Sequence, residues 1–239
     1  MLEICVESLE SAIAAESGGA DRLELCEHLT LDGLTPNPDL TRRVLEAVHI
    51  PVTVLIRPRD GSFVYRAAEI EQMLAEIEFA KIAGAAGVTL GALKPDQHVN
   101  VDLCRELVAA ARPMEVTFHR AFDVVPNQSE ALEDVILTGA ERLLTSGGAP
   151  NVMAGAERIA RLREQAAGRI EIMAGGGLRL TNLLDVRKIS GTTSLHGSLL
   201  TRPEVHSLNE GHAHARLPRL REEDVREAVR LVRLAVQLA

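Results

Sequence analysis

The amino-acid sequence predicts an α/β protein, a (β/α)8 TIM barrel of a single domain. Short apolar runs alternate with amphipathic stretches along all 239 residues, and this alternation favours a parallel sheet with helical crossovers. About eight strand–helix units of ~30 residues each fit the chain, a number that closes most naturally into a barrel. An open doubly wound sheet is the alternative. No G-x-G-x-x-G motif follows the first strand, which excludes the dinucleotide-binding form of that sheet.

Three junctions between a helix and the next strand repeat one small-residue pattern, which supports a repeated unit. At each junction a glycine ends the helix and the chain enters the strand at once, as a C-terminal helix cap allows. The junctions are Gly19–Leu23, Gly84–Val88 and Gly139–Leu143.

Short apolar runs are predicted as strands, and the amphipathic stretches that follow them as helices. The predicted strands are Leu2–Cys5, Arg22–Cys26, Val52–Ile56, Gly87–Leu90, Glu115–Phe118, Arg142–Thr145, Ile170–Met173 and Thr193–His196. The predicted helices are Glu7–Ser17, Leu40–Val48, Ala67–Ala83, Val101–Ala111, Ser129–Leu137, Val152–Ala166, Leu180–Val186 and Glu222–Leu238. Residues 199–220 are predicted to be an irregular segment before the last helix. Its His212 and His214 either fold over the barrel mouth or belong to a flexible tail.

The composition argues against several classes of protein. A formal charge of -8 gives no electrostatic reason to bind nucleic acid or an acidic membrane surface. We find no basic segment followed by an apolar one at the start, and no apolar run long enough to span a bilayer. Three cysteines are too few for a disulfide scaffold. We therefore expect a cytoplasmic protein, and assembly into a homo-oligomer is compatible with the sequence.

The ends of the first two predicted strands share the pattern Glu-x-Cys. Because residues two apart in a strand share a face, Glu3 and Cys5 are predicted to point into the barrel, and so are Glu24 and Cys26. Two carboxylates inside a barrel carry a large desolvation cost unless cations or hydrogen-bond donors meet them. The predicted partners are Arg57, Arg59, His119 and Arg120. A buried structural ion network is the alternative to a functional site.

The stretch from Val116 to Asp123 begins as a strand and ends in a polar cluster. His119, Arg120 and Asp123 supply a titrating group, a fixed cation and a carboxylate. These groups suit the site of a small anion, a proton transfer or a metal. A surface loop with a salt bridge is the alternative.

Other strand ends carry groups suited to binding an anion. Arg57 and Arg59 flank Pro58, and arginine can bind a carboxylate or phosphate through two hydrogen bonds. Consecutive glycines after the seventh strand let backbone N–H groups approach a ligand, and this region of a barrel often holds phosphate. A glycine loop can also be only a tight turn. The remaining candidates for anion binding are Ser146, Gly175, Gly176 and His196.

Cys5 and Cys26 lie on neighbouring predicted strands. Thiolates with a histidine nearby, here His119 or His196, are soft ligands suited to Cu(I) or zinc. No C-x-x-C motif or close histidine pair on a helix supports a metal site, and buried cysteine is more often a small apolar filler. Cys104, on a predicted helix, is expected to be such a filler.

Six stretches of this sequence, taken together, resemble the CutC family, named for copper homeostasis. They are Gly19–Cys26, Gly33–Pro36, Ile56–Arg59, Val116–Asp123, Leu144–Gly147 and Met173–Gly177. The sequence departs from the family's usual loop residues at three places: Asp32, Asn37 and Asp60–Phe63. The resemblance implies a cytoplasmic TIM barrel with a role in copper handling, in which Cys5 and Cys26 would be the thiol ligands of copper.

Two hypotheses from different classes follow. The first is a cytoplasmic CutC-type barrel that binds Cu(I) through Cys5 and Cys26. The second is an enzyme of lyase, isomerase or hydrolase type, acting on a small anionic or phosphorylated carbohydrate-like substrate. Its proton-exchanging residues would be Glu3, Glu24, His119 and Asp123. Its anion-binding residues would be Arg57, Arg59, Arg120, Ser146, Gly175, Gly176 and His196. So many charged groups suit the second hypothesis better than a carrier of a soft metal.

Overall fold

The computed structural model describes residues 1–200 and 220–237, with side chains up to residue 234. Eight parallel strands pair in chain order, and the first strand also pairs with the eighth, so that the sheet closes into a barrel. This closure confirms the predicted (β/α)8 fold. Most of the predicted irregular segment, with His212 and His214, lies outside the described residues.

Helices and strands alternate throughout the described ranges. The strands are β1 Leu2–Val6, β2 Arg22–Leu25, β3 Val52–Leu55, β4 Gly87–Leu90, β5 Glu115–Phe118, β6 Arg142–Thr145, β7 Glu171–Gly175 and β8 Ser194–Gly197. The helices are α1 Leu9–Ser17, α2 Pro38–Ala47, α3 Ala67–Ile82, α4 Val101–Ala111, α5 Gln128–Thr138, α6 Val152–Ala166, α7 Leu183–Ser190 and α8 Glu222–Gln237. None of the helices in these ranges combines the length and the apolar composition that crossing a bilayer requires.

The predicted bounds are correct for β4, α4, β5, β6 and α6. A larger difference concerns α7, predicted to begin at Leu180. The side chain of Asn182 accepts a hydrogen bond from the backbone N–H of Arg179, and this turn delays the start of the helix to Leu183. The helix then continues until Gly191, whose left-handed backbone (φ 66°) ends it.

Two short 3-10 helices, Leu29–Leu31 after β2 and Arg120–Val124 after β5, were not predicted. Each is too short to show a periodic pattern of apolar residues. Both follow the carboxyl end of a strand, where they shape the mouth of the barrel.

The main apolar core lies between the strands and the helices. On β1, Leu2 belongs to this core and Glu3 does not. Arg22 on β2 reaches Met173 on β7 across the barrel, with 3.6 Å between Nη2 and Sδ, so both side chains point inward. The outer faces of the strands therefore supply the apolar burial, worth roughly 25 cal/mol per Å², and many inner positions hold polar groups.

An ion network occupies the amino-terminal end of the barrel. Arg142, at the start of β6, pairs with Glu115 and Glu171 at the starts of the two neighbouring strands. Ser194, at the start of β8, donates a hydrogen bond to Glu171. These contacts close this end of the interior by charge pairing, although Nε of Arg142 has no hydrogen-bond partner among the described residues. The predicted site residues lie towards the opposite end.

Candidate functional site

A cavity of about 560 Å³ opens at the carboxyl-terminal ends of the strands. The predicted site residues that line it are Cys5, Glu24, Arg57, His119, Arg120, Asp123, Gly176 and His196. The predicted residues that do not line it are Glu3, Cys26, Arg59, Ser146 and Gly175. Barrel closure thus brings most of these residues, distant in sequence, to one mouth.

Glu3 is fully buried and is held by two basic side chains. Its carboxylate lies 2.5 Å from Nε of Arg22 and 2.7 Å from Nδ1 of His196. Burial raises the pKa of Glu3, but His196 and Arg22 together outweigh burial and lower the pKa to about 2. The partners predicted from the sequence are wrong for this carboxylate, because neither contact involves one of them: Arg57, Arg59, His119 or Arg120.

The contact with Glu3 orients the imidazole ring of His196. Because Glu3 is ionised, Nδ1 of His196 donates to it, and Nε2 lies 3.7 Å from Oε2 of Glu24. Burial lowers the pKa of His196, but the carboxylates of Glu24 and Glu3 outweigh burial and raise the pKa. Burial raises the pKa of Glu24, whose Oε1 has no hydrogen-bond partner among the described residues.

Three of the residues that line the cavity are placed so that they could hold a metal ion. Sγ of Cys5, a carboxylate oxygen of Glu24 and a ring nitrogen of His196 all lie within 4.8 Å of one another. Sγ of Cys5 also lies 3.4 Å from Sγ of Cys26, and both thiols are free and buried. To the predicted metal ligands Cys5 and Cys26, the structure therefore adds Glu24 as a candidate. Of the two histidines considered from the sequence, His196 and not His119 belongs to this group.

The thiol of Cys5 is protonated at neutral pH. The neighbouring thiol of Cys26, burial and the carboxylate of Glu24 raise the pKa of Cys5 well above its usual range. A metal binds the thiolate form, so the thiol must release its proton when a metal binds.

Leu29 and Leu55 pack against the two thiols and form a small apolar cluster with them. Leu29 opens the 3-10 helix in the loop after β2. This turn is flanked by His28 and Asp32, whose backbones are left-handed (φ 55° and 62°). Sequence analysis did not identify Leu29 as part of the site, because it lies in an irregular loop with no periodic signal.

His119 lines the cavity beside Phe63, with 5.0 Å between the ring centroids. Its Nδ1 accepts a hydrogen bond from the backbone N–H of Ala121 at 3.3 Å. Burial, with the guanidinium groups of Arg57 and Arg120, lowers the pKa of His119 to about 3. The ring is therefore uncharged at neutral pH, which favours a hydrogen-bond donor over the predicted role in proton exchange.

The carboxylate of Asp123 is hydrogen-bonded to the end of β6 and to the loop that follows it. It accepts hydrogen bonds from Oγ1 of Thr145, from the backbone N–H groups of Ser146 and Gly148, and from Nε of Arg120. The hydroxyl of Ser146 also lies 2.9 Å from Asp123. These contacts favour a structural role for Asp123 and Ser146 over the predicted proton exchange and anion binding.

Arg57 and Arg59, both predicted to bind an anion, form hydrogen bonds or ion pairs with other groups of the protein. Arg57 donates to the carbonyl oxygens of Leu31 at 2.7 Å and Gly33 at 2.9 Å, which ties the loop after β2 to the loop after β3. Arg59 pairs with Glu69 at 2.8 Å and does not line the cavity. The geometry therefore gives no support to Arg59 as a ligand for an anion in this cavity.

Gly175, the last residue of β7, and Gly176, the first residue after it, let neighbouring side chains approach the backbone. A Cβ atom at Gly175 would lie 2.6 Å from Cδ1 of Leu144 and 3.0 Å from Cβ of His196. A Cβ atom at Gly176 would lie 3.1 Å from Cζ of Arg120, and the backbone there has a φ of 99°. These positions make room for His196 and Arg120 at the mouth.

Arg22 belongs to this polar network, and sequence analysis did not single it out. It begins β2 and, with Glu24 and Cys26, occupies every second position of that stretch. The two-residue period that predicts an inward direction for Glu24 and Cys26 therefore predicts the same for Arg22. The inward direction of Arg22 could therefore have been predicted from the sequence.

Comparison with known proteins gives consistent results. The sequence model of one family, described as the CutC family, matches residues 1–201. The Homo sapiens copper homeostasis protein cutC homolog is 48% identical over 198 residues, which cover 83% of this chain and 72% of the relative. A family protein CutC of Xylella fastidiosa (strain Temecula1) is 47% identical over 197 residues, covering 82% of this chain and 74% of the relative.

Solved structures agree with the fold. The crystal structure of a copper homeostasis protein CutC from Streptococcus agalactiae superposes with a TM-score of 0.80 at 30% identity, covering 84% of this chain and 99% of that chain. The aldolase QR15 superposes with a TM-score of 0.67 at 15% identity, covering 99% of this chain and 96% of that chain. The second likeness shows a shared barrel fold alone.

Proposed function

The chain belongs to the CutC family, and from this premise we propose that it acts in copper homeostasis by binding Cu(I) at the barrel mouth. The observation that carries the proposal is the cluster of Cys5, Glu24 and His196, whose ligand atoms lie within 4.8 Å of one another. The thiol of Cys26 adds a second sulfur 3.4 Å from that of Cys5. Thiolate sulfur and imidazole nitrogen are ligands that suit copper.

The surroundings of the cluster fit a metal site. A histidine that binds a metal through one ring nitrogen usually donates its other N–H to a carboxylate. His196 does this towards Glu3 at 2.7 Å, which leaves Nε2 for the ion. Oε1 of Glu24 has no hydrogen-bond partner among the described residues, so this carboxylate has an oxygen available to a cation.

We place this activity in the cytoplasm. Its reducing environment keeps thiols free of disulfides, and Cys5 and Cys26 are both free thiols in the structure. Soft thiolate ligands favour copper in its Cu(I) state.

The test is anaerobic titration of the full chain with Cu(I) in competition with a chromogenic Cu(I) chelator. We expect saturable binding by the unmodified chain and its loss when Cys5→Ala and Cys26→Ala are combined. Cys104→Ala is the matched control, because Cys104 is also a buried free thiol but lies on α4. Unchanged Cu(I) stoichiometry in the double variant would contradict the proposal.

A second candidate, an enzyme acting on a small anionic molecule, is favoured by one observation. The cavity of about 560 Å³ has the size of a site for a small organic molecule and greatly exceeds the volume of one ion. In that case Glu24 and His196 would exchange protons with the substrate. Glu24→Gln should then stop turnover while the fold, followed by circular dichroism, is retained; retained turnover would exclude Glu24 from that role.

A further inference from the structure

His119 offers a hydrogen-bond donor that the copper proposal does not use. Its Nδ1 accepts from the backbone N–H of Ala121, so in the uncharged ring the proton is on Nε2. The residue is only 5% exposed, yet its Nε2 has no hydrogen-bond partner among the described residues. Buried polar atoms are nearly always hydrogen-bonded, and this one belongs to a residue that lines the cavity.

Two cations lie near this donor. The guanidinium groups of Arg57 and Arg120 both act on His119 electrostatically and, after burial, help to lower its pKa to about 3. The region therefore combines an uncharged N–H donor with positive potential. A hydrogen-bond acceptor that carries negative charge complements both properties.

Arg120 is the cation able to contact a ligand directly. Its Nε donates a hydrogen bond to Asp123 at 2.8 Å, but its side chain remains 36% exposed. Its two terminal nitrogens have no hydrogen-bond partner in the described part of the chain. The guanidinium lies against Gly176, where a Cβ atom would come within 3.1 Å of Cζ. It thus stands at the loop after β7, beside the cavity.

The acidic groups of the cavity offset only part of the positive potential at His119. Asp123 pairs with Arg120 at 2.8 Å and neutralises part of its charge, whereas the guanidinium of Arg57 donates to uncharged backbone carbonyl groups. Asp32 and Asp60 are exposed at the rim, where solvent screens their charge. Glu24 contacts His196, which belongs to the cluster assigned to copper.

The rest of the cavity wall is partly apolar. Phe63 lies beside His119, with 5.0 Å between the ring centroids and 58° between the ring planes. Leu31 and Val124 also line the cavity and are 44% and 49% exposed. Exposed large apolar side chains at the rim of a pocket are suited to cover the hydrocarbon part of a ligand.

We infer that the barrel mouth binds a small organic oxyanion, a carboxylate or a phosphate ester, beside the copper cluster. Its oxygens accept hydrogen bonds from Nε2 of His119 and from the terminal nitrogens of Arg120. Its apolar part contacts Phe63, Leu31 and Val124. This inference goes beyond copper binding and does not rest on it, because none of these residues belongs to the cysteine cluster.

The experiment uses the full chain without metal, with histidine labelled by ¹⁵N, and follows the Nε2 signal of His119 by NMR. Acetate, hexanoate and inorganic phosphate are titrated separately at constant ionic strength. We expect saturable shifts, with hexanoate binding about tenfold more tightly than acetate because of its hydrocarbon chain. Tighter binding of acetate than phosphate assigns a carboxylate ligand, and the reverse order assigns a phosphate ester.

Three variants test the residues. Arg120→Gln should weaken hexanoate binding about tenfold or more, which is the loss of one charge-assisted hydrogen bond. His119→Asn should weaken it similarly, measured by calorimetry, because the Asn oxygen can replace Nδ1 but the variant lacks the Nε2 donor. Arg161→Gln is the control, since Arg161 is exposed, lies in a second groove beside α5 and α6 and is not among the residues that line the barrel mouth.

The inference is overturned if none of the three anions gives a saturable shift, if hexanoate binds no better than acetate, or if Arg161→Gln weakens binding as much as Arg120→Gln. Because the protein carries no copper in these measurements, failure here leaves the copper titration as an independent result.

Discussion

Nδ1 of His196 lies 2.7 Å from Oε1 of Glu3, and the two residues are direct neighbours in the pairing of β8 with β1. The first and last strands of the barrel are thus joined at the same point that orients the imidazole towards Glu24. This contact decides which ring nitrogen is available to a ligand. Nδ1 carries the proton and donates it in a hydrogen bond to the ionised carboxylate, so that Nε2 is the nitrogen left for a ligand.

Glu3→Gln should destabilise the protein by about 3–5 kcal/mol, since it leaves the buried cation of Arg22 without its counter-charge. Urea unfolding followed by circular dichroism measures this change. Glu78→Gln is the control, because Glu78 pairs with Lys81 on the surface, where ion pairs contribute little. Equal stability of the two variants would show that Arg22 has an alternative partner.

The lowered pKa of His119, about 3 against an ordinary value of 6.5, predicts how stability varies with pH. Between these values the unfolded chain binds a proton at His119 that the native state does not, so stability rises with pH. The contribution is about 1.4 kcal/mol per pH unit. His119→Asn should remove this contribution to the slope. Above pH 7, the difference in unfolding free energy between the variant and the unmodified chain should not change with pH. Parallel stability profiles through the acid range would argue against a buried, uncharged His119.

Cu(I) affinity should rise with pH, because the raised pKa of Cys5 requires its thiol to lose a proton on binding. Each proton released corresponds to about a tenfold gain in affinity per pH unit below that pKa. Competition titrations between pH 6 and pH 8, corrected for the chelator's own protonation, measure the slope. A flat profile would indicate that Cys5 is not a ligand in its thiolate form.

Gly155→Ala should destabilise the protein by about 3 kcal/mol or more, although alanine favours a helix over glycine by about 1 kcal/mol. A Cβ atom at Gly155 would lie 1.8 Å from the carbonyl oxygen of Ser146, so α6 would have to move away from the loop after β6. Gly84→Ala is the matched control: its backbone is left-handed (φ 90°) but nothing lies within 4 Å of the added atom. Denaturant unfolding should show the smaller loss for Gly84→Ala, about 1–2 kcal/mol.

The barrel could be predicted from sequence because its evidence is local and repeated. Strands such as Gly87–Leu90 and helices such as Val101–Ala111 carry their own periodic pattern and their own end signals, and both have the predicted bounds. The inward direction of Glu3 and Glu24 follows from the two-residue period of a strand. The same argument, applied to Arg22, would have predicted the cation that pairs with Glu3.

The contacts within the site could not be predicted because they depend on register and on loop conformation. Chain order places β8 beside β1 once the barrel closes, but only the observed register sets His196 opposite Glu3. The engagement of Arg59 by Glu69 depends on the path of the loop after β3. The position of Leu29 over the thiols depends on left-handed backbone at His28 and Asp32, which ordinary side chains rarely adopt.

The pairing of Glu3 with His196 joins residues that are 193 positions apart. The two thiols come from the beginning of the chain, and the imidazole arrives with the last strand. In a growing chain both sulfur atoms are therefore made long before the imidazole that lies beside them in the barrel. The cluster of Cys5, Glu24 and His196 is complete only once β8 has joined β1.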